Sequence, residues 1–249
     1  MKKKRKKYDL VTTGIETRTQ LVNRTTAIAR NLGERFASLH FINKEIKEFL
    51  LEKKESNTAD RQECLTKNGC RELKVLVALH ACDTATDDAL FFGIQDDADV
   101  ILSSPCCHKQ IRKQIDAHIV STGESREKRD IAKNAPLDIL EHRIFRERVS
   151  EMLTDQIRSL LLSLAGYDTT ILEFVGSEHT FKNIMISAVK KPIPPSLEEC
   201  HEYRQRLSTI FLTYGIQSQR LAELLGESIH GAENPTLGAA RRRPRTLKK

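Results

Sequence analysis

Two stretches decide the fold. Val75-Leu76-Val77-Ala78-Leu79 runs into His80-Ala81-Cys82-Asp83-Thr84-Ala85-Thr86-Asp87, and Val100-Ile101-Leu102 runs through Ser103-Ser104 into Pro105-Cys106-Cys107-His108-Lys109-Gln110. Each begins as a short apolar run rich in β-branched residues, the pattern of a strand buried on both faces. Each then breaks into a polar loop that leads to a helical pattern. In open α/β sheets ligands bind beyond the carboxyl ends of strands. Two strand ends bearing His, Cys and Asp therefore read as one site.

Working outward, strands are expected at Leu10–Ile15, Ala37–Ile42, Leu73–Leu79, Asp99–Ser103, Thr169–Val175 and Ile184–Val189. Helices are expected at Arg18–Leu32, Lys44–Lys54 and Thr84–Phe92, from near His108, from Pro136 to about Ala165, and at Leu197–Leu212. The polar segment 55–72 reads as a loop or insertion, and the charged segment Ser121–Asn134 as a mobile loop. Strand–helix alternation predicts an α/β fold with a doubly wound parallel sheet. The closing pair of strands, joined by a short link, predicts one antiparallel strand. The expected organisation is a basic tail over 1–9, a domain over 10–191, a helical appendage over 192–225 and a basic disordered tail over 226–249.

The 249 residues carry a formal net charge of +7, but the charge is unevenly placed. Residues 2–7 hold six Lys/Arg and residues 241–249 hold six more, with no acid in either run. Without those twelve, 29 basic residues face 34 acidic ones, so the body has a balance of −5. The tails could bind phosphate backbones without sequence preference, or they are solvated ends. No apolar segment follows the charged start as in a secretory signal, and no run approaches a membrane span of about 20 residues. Six irregularly spaced cysteines do not make a secreted disulfide framework. The expected protein is soluble and cytoplasmic, with reduced thiols and no membrane partner.

Glu16 ends a strand before a helix, where a carboxylate can accept both hydroxyls of a ribose or simply complement a helix N-terminus. Cys82, Cys106 and Cys107, with His80 and His108, have the ligand types of a zinc site. A contiguous Cys106-Cys107 pair rarely brings both sulfurs to one ion, so no metal site is assigned; small thiols filling crowded turns is the alternative. His108, near a helix start that disfavours imidazolium, reads as a neutral donor or base. Asp87 and Asp88 read as helix-dipole charges. Glu151, Asp155 and Arg158, at i,i+3 and i,i+4 spacings, read as a solvated or ion-paired helix face. Glu178-His179-Thr180 with Lys182-Asn183 lines a pocket or forms a polar hairpin turn. Cys200-His201 reads as incidental.

Together these runs resemble a family of class I S-adenosylmethionine-dependent methyltransferases, methyltransferase-domain family 32. Ala78–Asp87 resembles the run after its fourth strand, Pro105–Gln110 the run after its fifth, and Glu178–Asn183 the run before its last. Val11–Glu16 resembles its second strand and ribose-binding acid. Cys106-Cys107-His108 is also similar to an element of tRNA 2′-O-methyltransferases. The resemblance implies a Rossmann-like sheet and S-adenosylmethionine as cofactor. It places Glu16 on the cofactor ribose, Glu45 and Ile46 near the adenine, and Leu79 and His80 beside the transferred methyl. Asp83, Cys107 and His108 would face the acceptor, expected to be RNA. The family's first strand and glycine-rich loop have no match before Leu10. The sequence is accordingly read as N-terminally incomplete, either a truncated methyltransferase or a degenerate, non-catalytic module that binds RNA through its tails.

Overall fold

The computed structural model describes residues 10–46, 48–49, 52, 72–79, 81–123, 138–176 and 178–227. Both basic tails, His80, the Cys64/Cys70 segment and residues 124–137 lie outside the described residues. The chain divides into two compact units, residues 1–70 and 71–249.

In the first unit, β1 (Thr12–Glu16) pairs in parallel with β2 (Leu39–Asn43), with Glu16 opposite Asn43 at the carboxyl end. Helix α1 (Thr19–Asn31) makes the crossover and buries Val22 and Ala29. Gly14 stands opposite Phe41, where an added Cβ would lie 2.7 Å from the ring. The aromatic side chain therefore occupies the place a larger residue would need. Ile46, Glu48, Phe49 and Glu52 are helical, as expected for that segment.

The second unit is built on a mixed four-stranded sheet. Strands β3 (Val75–Leu79) and β4 (Val100–Ser104) are parallel, joined by helix α2 (Thr84–Gln95). Strand β6 (Ile184–Lys190) runs antiparallel to both β4 and β5 (Tyr167–Glu173). Helices α3 (Lys109–Gly123), α4 (Arg143–Leu164), α5 (Leu197–Tyr214) and α6 (Arg220–Leu225) complete it. The fold is thus α/β with a mixed sheet. Gly93 sets the approach of α2 to the sheet, because a Cβ there would come within 2.8 Å of both Leu76 and Ile101.

The core is drawn from every layer. Leu90, Ile101, Ile111, Ile115, Ile157, Leu161 and Ile186 are each 0% exposed. Burial of such side chains stabilises by roughly 1.5–3 kcal/mol each. Tyr167, at the start of β5, donates its hydroxyl to the Ala98 carbonyl at 2.9 Å. Leu207, Phe211, Ile216, Leu221 and Leu225 belong to the same core cluster. The expected division at 191/192 therefore runs through this core, and the C-terminal helices pack into it.

Several boundaries shift by two or three residues, β5 and the end of α2 among them, and two departures concern the longer helices. The long helix begins at Arg143, because His142 is extended and Arg146 donates to the Leu140 and Glu141 carbonyls at 2.9 Å, holding a turn before it. The segment from Ser121 to Gly123 is helical, since α3 runs on to Gly123.

Candidate functional site

Leu79 pairs with Ser104, so the two polar loops leave neighbouring strands side by side. Asp83 closes the first loop with φ 52° and ψ −120°, a conformation costly for a residue with a Cβ. Two long-range bonds hold it there. Its Oδ1 accepts from the Gln110 backbone N–H at 3.1 Å, and its carbonyl accepts from Arg158 Nη2 at 2.9 Å. The first tie fastens the β3 loop to the start of α3.

Beneath the loops lies a buried ionic network that spacing on one helix did not disclose. Arg158 is 1% exposed. It forks onto Asp87, with Nε to Oδ1 and Nη2 to Oδ2 both at 2.9 Å, and its Nη1 reaches Asp155 Oδ1 at 3.1 Å. Gln219 Nε2 adds a bond to Asp87 Oδ1 at 2.7 Å. Of the two readings of Asp155 and Arg158, the ion-paired one holds, but the pair is buried rather than solvated. Asp87 lies in the first turn of α2, as expected for a helix-dipole charge, and is also a buried counter-ion. Asp88, by contrast, pairs with Arg220 at the edge of this cluster, at 2.9 Å.

His108 joins the network through Nε2, 3.1 Å from Asp155 Oδ1. A carboxylate only accepts, so Nε2 carries the hydrogen of this bond; in the neutral imidazole the lone pair then lies on Nδ1. Nδ1 is buried and has no hydrogen-bond partner among the described residues. The Oγ atoms of Ser103 and Ser104, at the end of β4, are buried and unpartnered as well. Gln110 has a second tie: its Oε1 accepts from the Arg220 backbone N–H at 3.1 Å.

The three cysteines meet. Cys82 Sγ lies 3.7 Å from Cys106 Sγ, Cys106 Sγ lies 3.8 Å from Cys107 Sγ, and all three fall within 4.8 Å of one another. Contiguity therefore does not keep the paired sulfurs apart, contrary to the sequence expectation. Burial and the neighbouring thiols push the Cys106 thiol up to about 12, so it stays protonated at neutral pH.

In the first unit, Glu16, Glu45 and Ile46 gather at the carboxyl ends of β1 and β2. Glu16 is held by Arg18, whose Nε and Nη2 both donate at 2.9 Å and whose backbone N–H donates at 3.0 Å. These bonds bring the carboxyl down to about 2. Asn43 spans the two strand ends, donating to the Glu16 and Thr17 carbonyls at 3.0 and 2.8 Å and accepting from Thr19. The sequence reading missed Asn43, because only the strand register sets it opposite Glu16.

The structure thus groups Leu79, Asp83, Cys107 and His108 in one unit and Glu16, Glu45 and Ile46 in the other, while His80 lies outside the described residues. The Glu178–Asn183 run forms a turn between β5 and β6. Glu178 and His179 are exposed, Lys182 pairs with Glu151, and buried Asn183 donates to the Val175 carbonyl at 2.8 Å. No helix among the described residues is long and apolar enough to cross a membrane.

No curated protein and no solved structure matches the chain. Residues 1–114, which include Glu16, Asp83, Cys107 and His108, match a family model described as a methyltransferase domain.

Proposed function

We propose that this chain is a cytoplasmic S-adenosylmethionine-dependent methyltransferase that modifies RNA. The observation that carries the reading is the methyltransferase-domain match across both groups of strand-end residues. The β1-α1-β2 and β3-α2-β4 parallel crossovers, with β6 the one antiparallel strand, support a doubly wound Rossmann-like sheet. Among the described residues β3 pairs only with β4, which leaves an edge suited to one more strand.

Glu16 fits a ribose. It sits at a strand end, is ionised, and is held by an Arg18 side chain that is 70% exposed. Two ribose hydroxyls can replace that guanidinium without disturbing the core. Ile46 and Glu45 would then border the adenine. The cofactor supplies an electrophilic methyl on a sulfonium, and transfer is an in-line displacement governed by positioning.

The residues of the second unit define the acceptor side. If the acceptor is a hydroxyl, its proton needs a base, a contribution of typically 10²–10⁴-fold. His108 Nδ1 has the lone pair for this, and Asp155 on Nε2 stabilises the imidazolium that forms. Nδ1 is buried, so the Pro105–His108 turn must shift for the acceptor to reach it. Asp83 holds that turn's helix through Gln110.

The test is incubation of the purified protein with methyl-labelled S-adenosylmethionine and total RNA or total protein. The reading predicts label in nuclease-sensitive material. Label confined to protein refutes the RNA acceptor, and no label in either refutes methyl transfer. A second reading, a non-catalytic RNA-binding module, is favoured by the occupation of Glu16 by Arg18. It predicts RNA binding that weakens steeply with salt and disappears when residues 1–9 and 241–249 are removed.

A further inference from the structure

We propose that Cys82, Cys106 and Cys107 form a binding site for a thiophilic divalent cation, with zinc the best fit. The inference stands on geometry apart from the methyltransferase reading. Three sulfurs from two different strand-end loops converge to within 4.8 Å of one another. A zinc ion holds thiolates at about 2.3 Å, so adjacent sulfurs on its tetrahedron lie about 3.8 Å apart. The separations of 3.7 Å and 3.8 Å in the protein match that edge. The third pair, Cys82 and Cys107, lies within 4.8 Å, so seating an ion asks that edge to close by at most about 1 Å.

Packing is the plain alternative, because sulfurs in van der Waals contact have similar spacing. The surroundings argue against it. A cysteine that serves as a small apolar residue is buried. Cys82 is exposed, Cys106 and Cys107 are half-buried, and none belongs to the core cluster. A Cys82–Cys106 disulfide is the other alternative, and it requires the sulfurs to close from 3.7 Å to about 2.05 Å.

On binding, each thiol exchanges its S–H bond for an S–metal bond and its proton goes to solvent, with no change of oxidation state. The exposed side of Cys82 leaves the fourth position open to water or another ligand, the arrangement of a site with an open coordination position. A cation there would fasten the β3 loop to the β4 loop beside Asp83 and His108. It would also make Cys107 a ligand rather than a side chain free to face the acceptor.

Cobalt(II) is the probe, added to the full chain under anaerobic, reducing conditions. The proposal predicts one equivalent taken up per chain, with a near-ultraviolet sulfur-to-metal charge-transfer band and the visible bands of a tetrahedral site. Zinc should then displace the cobalt and abolish the bands. The Cys64→Ser/Cys70→Ser/Cys200→Ser variant should keep the spectrum. The Cys82→Ser/Cys106→Ser variant should lose it while circular dichroism stays unchanged. No band in the wild-type protein overturns the proposal whatever the variants do. A band that survives Cys82→Ser/Cys106→Ser, or vanishes in the Cys64/Cys70/Cys200 variant alone, overturns it too. Failure to take up cobalt, with mild oxidant consuming two thiols, would assign the cluster to a disulfide instead. A protein that binds cobalt but not S-adenosylmethionine would uphold this site and refute the proposed function.

Discussion

Replacing Arg158 with methionine tests the buried network most severely. The guanidinium makes four hydrogen bonds, two to Asp87 and one each to Asp155 and the Asp83 carbonyl, from a position 1% exposed. Summing four charge-assisted bonds at about 1.5–3 kcal/mol would exceed the gain, because folding strips water from the same cation. The relevant quantity is the cost of leaving buried carboxylates without their partner, about 3–5 kcal/mol. Methionine refills most of the volume, and Gln219 still donates to Asp87, so a loss near 3 kcal/mol is expected. With a urea dependence of about 2 kcal/mol per molar, the unfolding midpoint should fall by about 1.5 M. Arg148, an exposed arginine on the same helix paired with Glu151 at 3.4 Å, is the control. Arg148→Met should change stability by no more than about 0.5 kcal/mol. An Arg158→Met loss below about 1 kcal/mol at unchanged slope would refute the network's role.

Four further outcomes follow from the same geometry. Arg18→Ala should raise the Glu16 carboxyl from about 2 toward 4.5, read by NMR titration. The folded value is depressed, so this pair's stabilisation is present above pH 4.5 and is lost as pH falls toward 2. Solvent screening keeps it small. The same variant removes a competitor for ribose hydroxyls and should tighten S-adenosylmethionine binding about two- to fivefold, the worth of an exposed ion pair. Cys106, raised from 9.0 to about 12, should resist iodoacetamide at pH 8 while exposed Cys82 reacts, as peptide mapping would show. Its raised value makes its contribution complete below pH 9.0 and lost as pH climbs toward 12. His108→Ala should lower turnover by about 10²-fold or more with cofactor affinity unchanged; equal losses in both would contradict the base assignment.

The strands were legible because their apolar runs are short, β-branched and bounded by polar loops. Both chemically rich loops were visible for the same reason. The ionic network was not, because Arg158 meets a partner 71 residues away and Gln219 reaches Asp87 across 132. Asp155 and Arg158 are three apart on α4, and that local spacing suggested a surface pair and hid the long-range one. Helix α6 has six residues, too few for a periodic pattern to stand out. The meeting of Cys82 with Cys106 depends on β3 and β4 being parallel neighbours in register, which no single stretch of sequence encodes. The engagement of Glu16 by Arg18 depends on a rotamer two residues away, likewise invisible to pattern.

Calorimetric titration of S-adenosylmethionine into the purified protein and its Glu16→Ala variant decides whether Glu16 holds the cofactor. Micromolar binding to the wild type is expected. Binding to the variant should be at least about tenfold weaker, the worth of a charge-assisted hydrogen bond of about 1.5–3 kcal/mol. Absence of binding by the folded wild-type protein, or equal affinity in the variant, would contradict that role.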